Sequence, residues 1–208
     1  MSDRETLDFG DPMQRPRYAG VATFFRLPLV ERPDLADPAP GIGVIGVPYD
    51  GGVTNRPGAR HGPRAVREAS TLIRRIYQAT GASPFEAARV ADLGDVLVRR
   101  PFALEGAQAE IEAAYRAIVA AGVRPLTCGG DHSVALPVLR AVCAERPAAL
   151  LQVDAHADTG DDYLGSRVHH GAPFKIAADE GLIDPKRSVQ IGIRGTLFNR
   201  GMWAYSYE

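Results

Sequence analysis

Three side chains able to hold a metal stand at alternate positions directly after an apolar run: Asp154, His156 and Asp158 follow Leu150-Leu151-Gln152-Val153. Alternate residues of an extended chain share a face, so all three would point the same way. A strand rises about 3.3 Å per residue, which puts the outer carboxylates roughly 13 Å apart in a straight segment, too far to grip one ion. Either the chain bends at the strand end or two neighbouring ions share the row. Two-metal hydrolytic sites hold their ions about 3.5 to 4 Å apart around a bridging carboxylate, which suits this row better than a one-ion site. The bland alternative is a solvated turn in which Asp154 caps the chain that follows.

A second cluster makes the metal reading more specific. Cys128-Gly129-Gly130-Asp131-His132-Ser133 follows the apolar run from Gly122 to Thr127 and precedes a helical pattern in Val134, Leu136, Val138, Leu139 and Val142. Two strand ends, each followed by Asp and His, are what an open α/β sheet needs to build a site at its carboxyl edge. Asp131 reads as an anchor behind a ligand imidazole rather than as a ligand.

The elements that must position these groups follow from the apolar pattern. Gly41 to Val47 is continuous enough for a strand buried on both faces, and Pro48 ends it. The glycine-rich loop from Tyr49 to Gly62 comes next, and Pro63 opens a helix expected to run through Ile76. A short strand is expected at Arg89–Asp95 and a helix at Leu104–Ala121, where Ala107, Ile111, Tyr115 and Ile118 keep helical spacing until Gly122 stops it. Strands are expected at Arg124–Thr127, Ala148–Val153 and Ser188–Ile193, with helices at Val134–Glu145 and Pro173–Glu180 between them. This alternation predicts an α/β fold with a mainly parallel sheet covered by helices on both faces. Residues 1–40, rich in Pro and charge, read as an N-terminal arm ahead of an α/β domain over 41–208.

The chain has 208 residues, 45% of them hydrophobic, which suits one sizeable core. Lys and Arg number 24 against 25 Asp and Glu, giving no electrostatic reason to expect nucleic acid or an anionic membrane as a partner. Two cysteines build no disulfide framework, and neither a secretory signal nor a membrane span is read, so a cytoplasmic protein is expected.

Taken together, Gly129-Gly130-Asp131-His132-Ser133 and Asp154-Ala155-His156-Ala157-Asp158 resemble the two motifs of the ureohydrolase family, which includes arginase, agmatinase, guanidinobutyrase, guanidinopropionase and proclavaminate amidinohydrolase. The likeness extends through Pro48-Tyr49-Asp50-Gly51-Gly52, Arg56-Pro57-Gly58-Ala59-Arg60, His170-Gly171 and Gln190-Ile191-Gly192-Ile193-Arg194. The opening, Arg17-Tyr18-Ala19-Gly20 through Phe24-Phe25-Arg26-Leu27-Pro28, looks like the agmatinase-like branch. The resemblance implies a three-layer αβα fold of the arginase kind, a homo-oligomer, and Mn²⁺-dependent hydrolysis of a small guanidino compound such as agmatine to urea and an amine such as putrescine. By motif position it implies that His132 and Asp158 bind one Mn²⁺, His156 the other, Asp154 both, and that His170 is the proton shuttle. Guanidinobutyrate, guanidinopropionate and proclavaminate-like substrates are the alternatives, as is a non-catalytic interaction module of the same fold.

The family pattern also includes a Ser-x-Asp-x-Asp-x-x-Asp-Pro segment whose aspartates complete both metal sites, and these residues contain no such segment. The expectation is therefore an incomplete ureohydrolase, with the C-terminal part of the fold absent and the metal held by His132, Asp154, His156 and Asp158 alone.

Overall fold

Strand β1 (Ile42–Val47) is buried at every position after its first, which explains its unbroken apolar and glycine sequence. In the computed structural model, which describes residues 13–207, β1 pairs in parallel with β2 (Val90–Asp95) on one side and β3 (Arg124–Gly129) on the other, in the order β2-β1-β3. A second parallel pair joins β4 (Leu151–Val153) to β5 (Val189–Ile191). Every strand ladder in these two sheets is parallel, and helices separate the strands along the chain, as expected of an α/β fold. The portion of the expected arm before residue 13 lies outside the described residues.

The chain forms two interleaved compact units. One takes the residues up to Pro48, Arg60–Leu97 and Ala117–Gly130; the other takes Tyr49–Ala59, Val98–Arg116 and the chain from Asp131 onward. In the first unit the arm packs on the three-stranded sheet: Phe24 and Leu27 join Val44 in a buried cluster. Val30 N–H donates to the Asp92 carbonyl and Asp92 N–H to the Pro28 carbonyl, adding one strand-like contact at the edge of β2. Helix α1 (Gly62–Ser70) carries Pro63 in its first turn but stops six residues short of the expected Ile76. Ser70 and Thr71 turn their hydroxyls back onto the carbonyls of Arg67 and Glu68, and Leu72, Ile73 and Ile76 are exposed, so nothing rewards another turn. A single turn, α2 (Pro84–Ala87), leads into β2.

Helix α3 (Leu104–Ala120) matches its expected span to one residue, with Ala107, Ile111 and Tyr115 fully buried at four-residue spacing. Gly122, at φ 76°, supplies the left-handed turn after its end. In the second unit, helix α4 (Ala135–Val142) starts one residue later than the expected Val134, because His132–Val134 form a 3₁₀ turn capped by Asp131, and it ends at Val142 rather than Glu145. Helix α5 (Pro173–Asp179) packs on α4 through Leu136, Phe174, Ile176 and Ala177, and Arg140 bridges to Glu180 at 2.6 Å. Strands β4 and β5 are shorter than expected: Ala148 makes only an isolated bridge to Ile183, and Gly192 at φ 93° ends β5. A last short turn, α6 (Ala204–Tyr207), follows. No helix among the described residues is long and apolar enough to cross a membrane.

Candidate metal centre

β4 ends at Val153, and the acidic row belongs to the loop that follows rather than to the strand. Asp154 accepts the His156 N–H at 2.9 Å, which bends the chain at the strand end, and Asp158 adopts a left-handed backbone at φ 52°. Aspartate tolerates this region better than most side chains do. The curl shortens what would be a 13 Å row in a straight strand: ligand-type atoms of His132, Asp154 and Asp158 all lie within 4.8 Å of one another.

His132 reaches this group from the loop after β3. Its Nε2 lies 3.2 Å from Asp158 Oδ2 and 4.0 Å from Asp154 Oδ2, and its ring stands edge-on to Phe174 with centroids 5.2 Å apart. Nε2 is buried, and its contact with Asp158 has the distance of an ion pair without the alignment of a hydrogen bond. Burial disfavours the charged ring, but the Asp158 carboxylate, helped by Asp154 and Asp131, outweighs it and raises the His132 pKa. A buried imidazole nitrogen facing two carboxylates with no aligned proton to share is a donor set that fits a hard or borderline divalent ion.

His156 lies outside the three-residue group; its side chain is 79% exposed, with Nδ1 3.7 Å from Asp154 Oδ1. His170 is held elsewhere, its Nδ1 2.8 Å from the Gly52 carbonyl oxygen. An oxygen acceptor requires Nδ1 to carry the proton, so the neutral ring presents Nε2 as its basic nitrogen, and no hydrogen bond among the described residues uses that atom. The neighbouring His169 is fixed the opposite way. Its Nδ1 accepts the Gly171 N–H at 3.2 Å and its Nε2 donates to the Asp161 carbonyl at 2.9 Å, which leaves it a loop anchor.

Asp131 departs from its expected part behind an imidazole. Its two oxygens accept the N–H groups of Gly52 at 2.8 Å and Ser133 at 2.7 Å. Asp50 holds the glycine-rich loop by accepting the Gly58 N–H at 2.7 Å, and Asn55 and Arg56 are exposed. Two residues escaped the sequence reading. Gln152, buried in β4 opposite Gln190 of β5, donates to the His156 carbonyl at 3.0 Å and to Asp158 Oδ2 at 3.3 Å. Gln190 donates in turn to Gln152 Oε1 and to the Ala157 carbonyl, both at 2.6 Å. The available signal was a polar residue at the middle of each short apolar strand.

A family model described as the arginase family matches residues 40–207. Guanidinopropionase of Pseudomonas aeruginosa is 48% identical over 200 residues, a stretch that covers 95% of this chain and 61% of that protein. A human mitochondrial guanidino acid hydrolase is 50% identical over 181 residues, covering 86% of this chain and 50% of that one. Among solved structures, proclavaminate amidino hydrolase from Streptomyces clavuligerus superposes with a TM-score of 0.84 at 40% identity, over 92% of this chain and 62% of its own. The chain thus spans between half and about three-fifths of the length of these relatives.

Proposed function

Because this chain belongs to the arginase family, we propose that it is an amidinohydrolase that splits a linear guanidino compound into urea and an amine. The observation that carries this reading is the convergence of His132, Asp154 and Asp158 within 4.8 Å at a strand end. His132, Asp154 and Asp158, with His156 beside Asp154, would hold Mn²⁺, since carboxylates with imidazole suit that ion better than thiolate-seeking metals. When bound, a divalent pair lowers the pKa of water to about 7 and so supplies the nucleophile for the guanidinium carbon.

The remaining chemistry belongs to the protein. Departure of the amine requires a proton on its nitrogen, and His170 is the group proposed to shuttle it: Nε2, the atom left available by the Nδ1 bond to Gly52, first takes up a proton from solvent and then passes it to the leaving nitrogen. Gln152 supports Asp158 from behind, so that the carboxylate keeps its aim when a substrate enters. Agmatine is the first substrate for the agmatinase-like reading; guanidinopropionate and guanidinobutyrate follow from relatives with those names. The two cysteines are unpaired, which suits a reducing compartment, and the cytoplasm is the one proposed.

The test is Mn²⁺-dependent urea release by the purified protein from agmatine, guanidinopropionate and guanidinobutyrate. Release from one of them, lost in Asp158→Asn, is expected. Stoichiometric Mn²⁺ binding without urea from any guanidino compound favours the non-catalytic module, and absence of Mn²⁺ binding sinks the metal reading altogether.

A further inference from the structure

Between the loop that carries His132 and the residue proposed as the proton shuttle lies a buried connection with no ligand role. Asp131 is 6% exposed and Ser133 1%. One Asp131 oxygen takes the Gly52 N–H and the other the Ser133 N–H, while the Asp131 N–H donates to the Tyr49 carbonyl at 2.9 Å. Gly52 is pressed against this pair so closely that a Cβ there would meet Ser133 Oγ at 2.5 Å and Ser133 Cβ at 2.6 Å, so only glycine fits. The carbonyl of the same Gly52 accepts twice from His170, from its backbone N–H at 3.1 Å and from Nδ1 at 2.8 Å.

We propose that Asp131 is a positioning residue for His170: by clamping Gly52 against Ser133 it fixes the carbonyl that holds His170 as its Nδ1–H tautomer, with Nε2 basic. This rests on the reading of His170 as the shuttle, and it adds that the loop bearing a metal ligand also sets the shuttle's protonation pattern. A carboxylate is required because both N–H groups need acceptors; a carboxamide offers one acceptor and turns an NH₂ group toward the other N–H. The ring nitrogen that carries the proton is decided by the hydrogen bond the other one makes, so release of Gly52 frees His170 to exchange tautomers.

The experiment is ¹⁵N NMR of the histidine side chains in the metal-free protein, at a pH where the rings are neutral, for wild type and Asp131→Asn. His169 is the internal control, since its Asp161 and Gly171 partners do not involve Gly52. Expected are an Nδ1–H signature for His170 in the wild type and its loss in the variant, with His169 remaining Nε2–H in both. An Nε2–H wild-type His170, or an unchanged His170 in Asp131→Asn, overturns the proposal. Should Asp131→Asn also disturb His169, Gly52→Ala decides: loss of the His170 signature with His169 intact supports the clamp, and any other pattern overturns it. The readout is independent of turnover, so a protein that releases no urea would strike the hydrolase reading and leave this result standing.

Discussion

Asp158 has two supporters of different kinds, the Gln152 amide behind it and the His132 ring beside it, and each makes a separate prediction. Gln152→Leu removes the amide from Asp158 and leaves the Gln190 amide without its Oε1 acceptor, and loss of such a supporting partner typically costs 10 to 100-fold in metal affinity. A Mn²⁺ titration by calorimetry should show a fall of about tenfold, with the folded signal retained. The His132 pKa is raised in the folded protein, so the ion pair contributes its full stability below about pH 6.5 and loses it as pH rises through the higher folded value. In chelator, thermal unfolding of the wild type should therefore weaken from pH 6 toward pH 8 by more than that of Asp158→Asn, which flattens the dependence. Mn²⁺ affinity should run the other way, rising with pH as the competing proton leaves. Much of this was legible from residue types: His132, Asp154 and Asp158 meet, and the bend between them is the one that a 3.3 Å rise per residue demands. The backbone tasks of Asp131 and the shielded position of Gln152 were not, because both depend on partners 79 and 38 residues away, which local spacing cannot encode.

At the scale of elements, α1, β2 and the arm are tied by one cation. Arg67 on α1 forks onto both oxygens of Asp92, contacts Asp95 at 2.6 Å, and lies 4.1 Å over the Phe24 ring. Asp92 is fully buried and also accepts the Phe24 N–H from the arm. Its carboxylate and that of Asp95 hold the Arg67 pKa above its ordinary value despite burial. Removing one partner of a buried pair strands the other charge, so Arg67→Met should lower unfolding stability by about 3 to 5 kcal/mol in urea titrations. It should also expose the arm to proteolysis before the sheet is lost. The long helix was legible because an amphipathic stripe survives over seventeen residues. The end of α1 and the lengths of β4 and β5 were not, because hydroxyl back-bonds and a glycine turn, rather than apolar periodicity, set them.

For the whole molecule, the β4–β5 pair presents a reversed pattern. Gln152 is buried, while Leu151 at 66%, Val153 at 77%, Val189 at 49% and Ile191 at 50% remain exposed on the other face. Adjacent apolar side chains on a short sheet favour association. Sedimentation of the chain should show concentration-dependent self-association, reduced in a Leu151→Thr/Val153→Thr variant with unchanged far-UV circular dichroism; identical sedimentation of the two proteins would count against this face. The tie between Gly52 and its partners has a temporal side as well. Gly52 bonds to Asp131, 79 residues downstream, and to His170, 118 residues downstream. During vectorial synthesis the early loop stays hydrated until those later partners emerge. Contacts of such long sequence range make the loop around Gly52 slower to consolidate than the local helices.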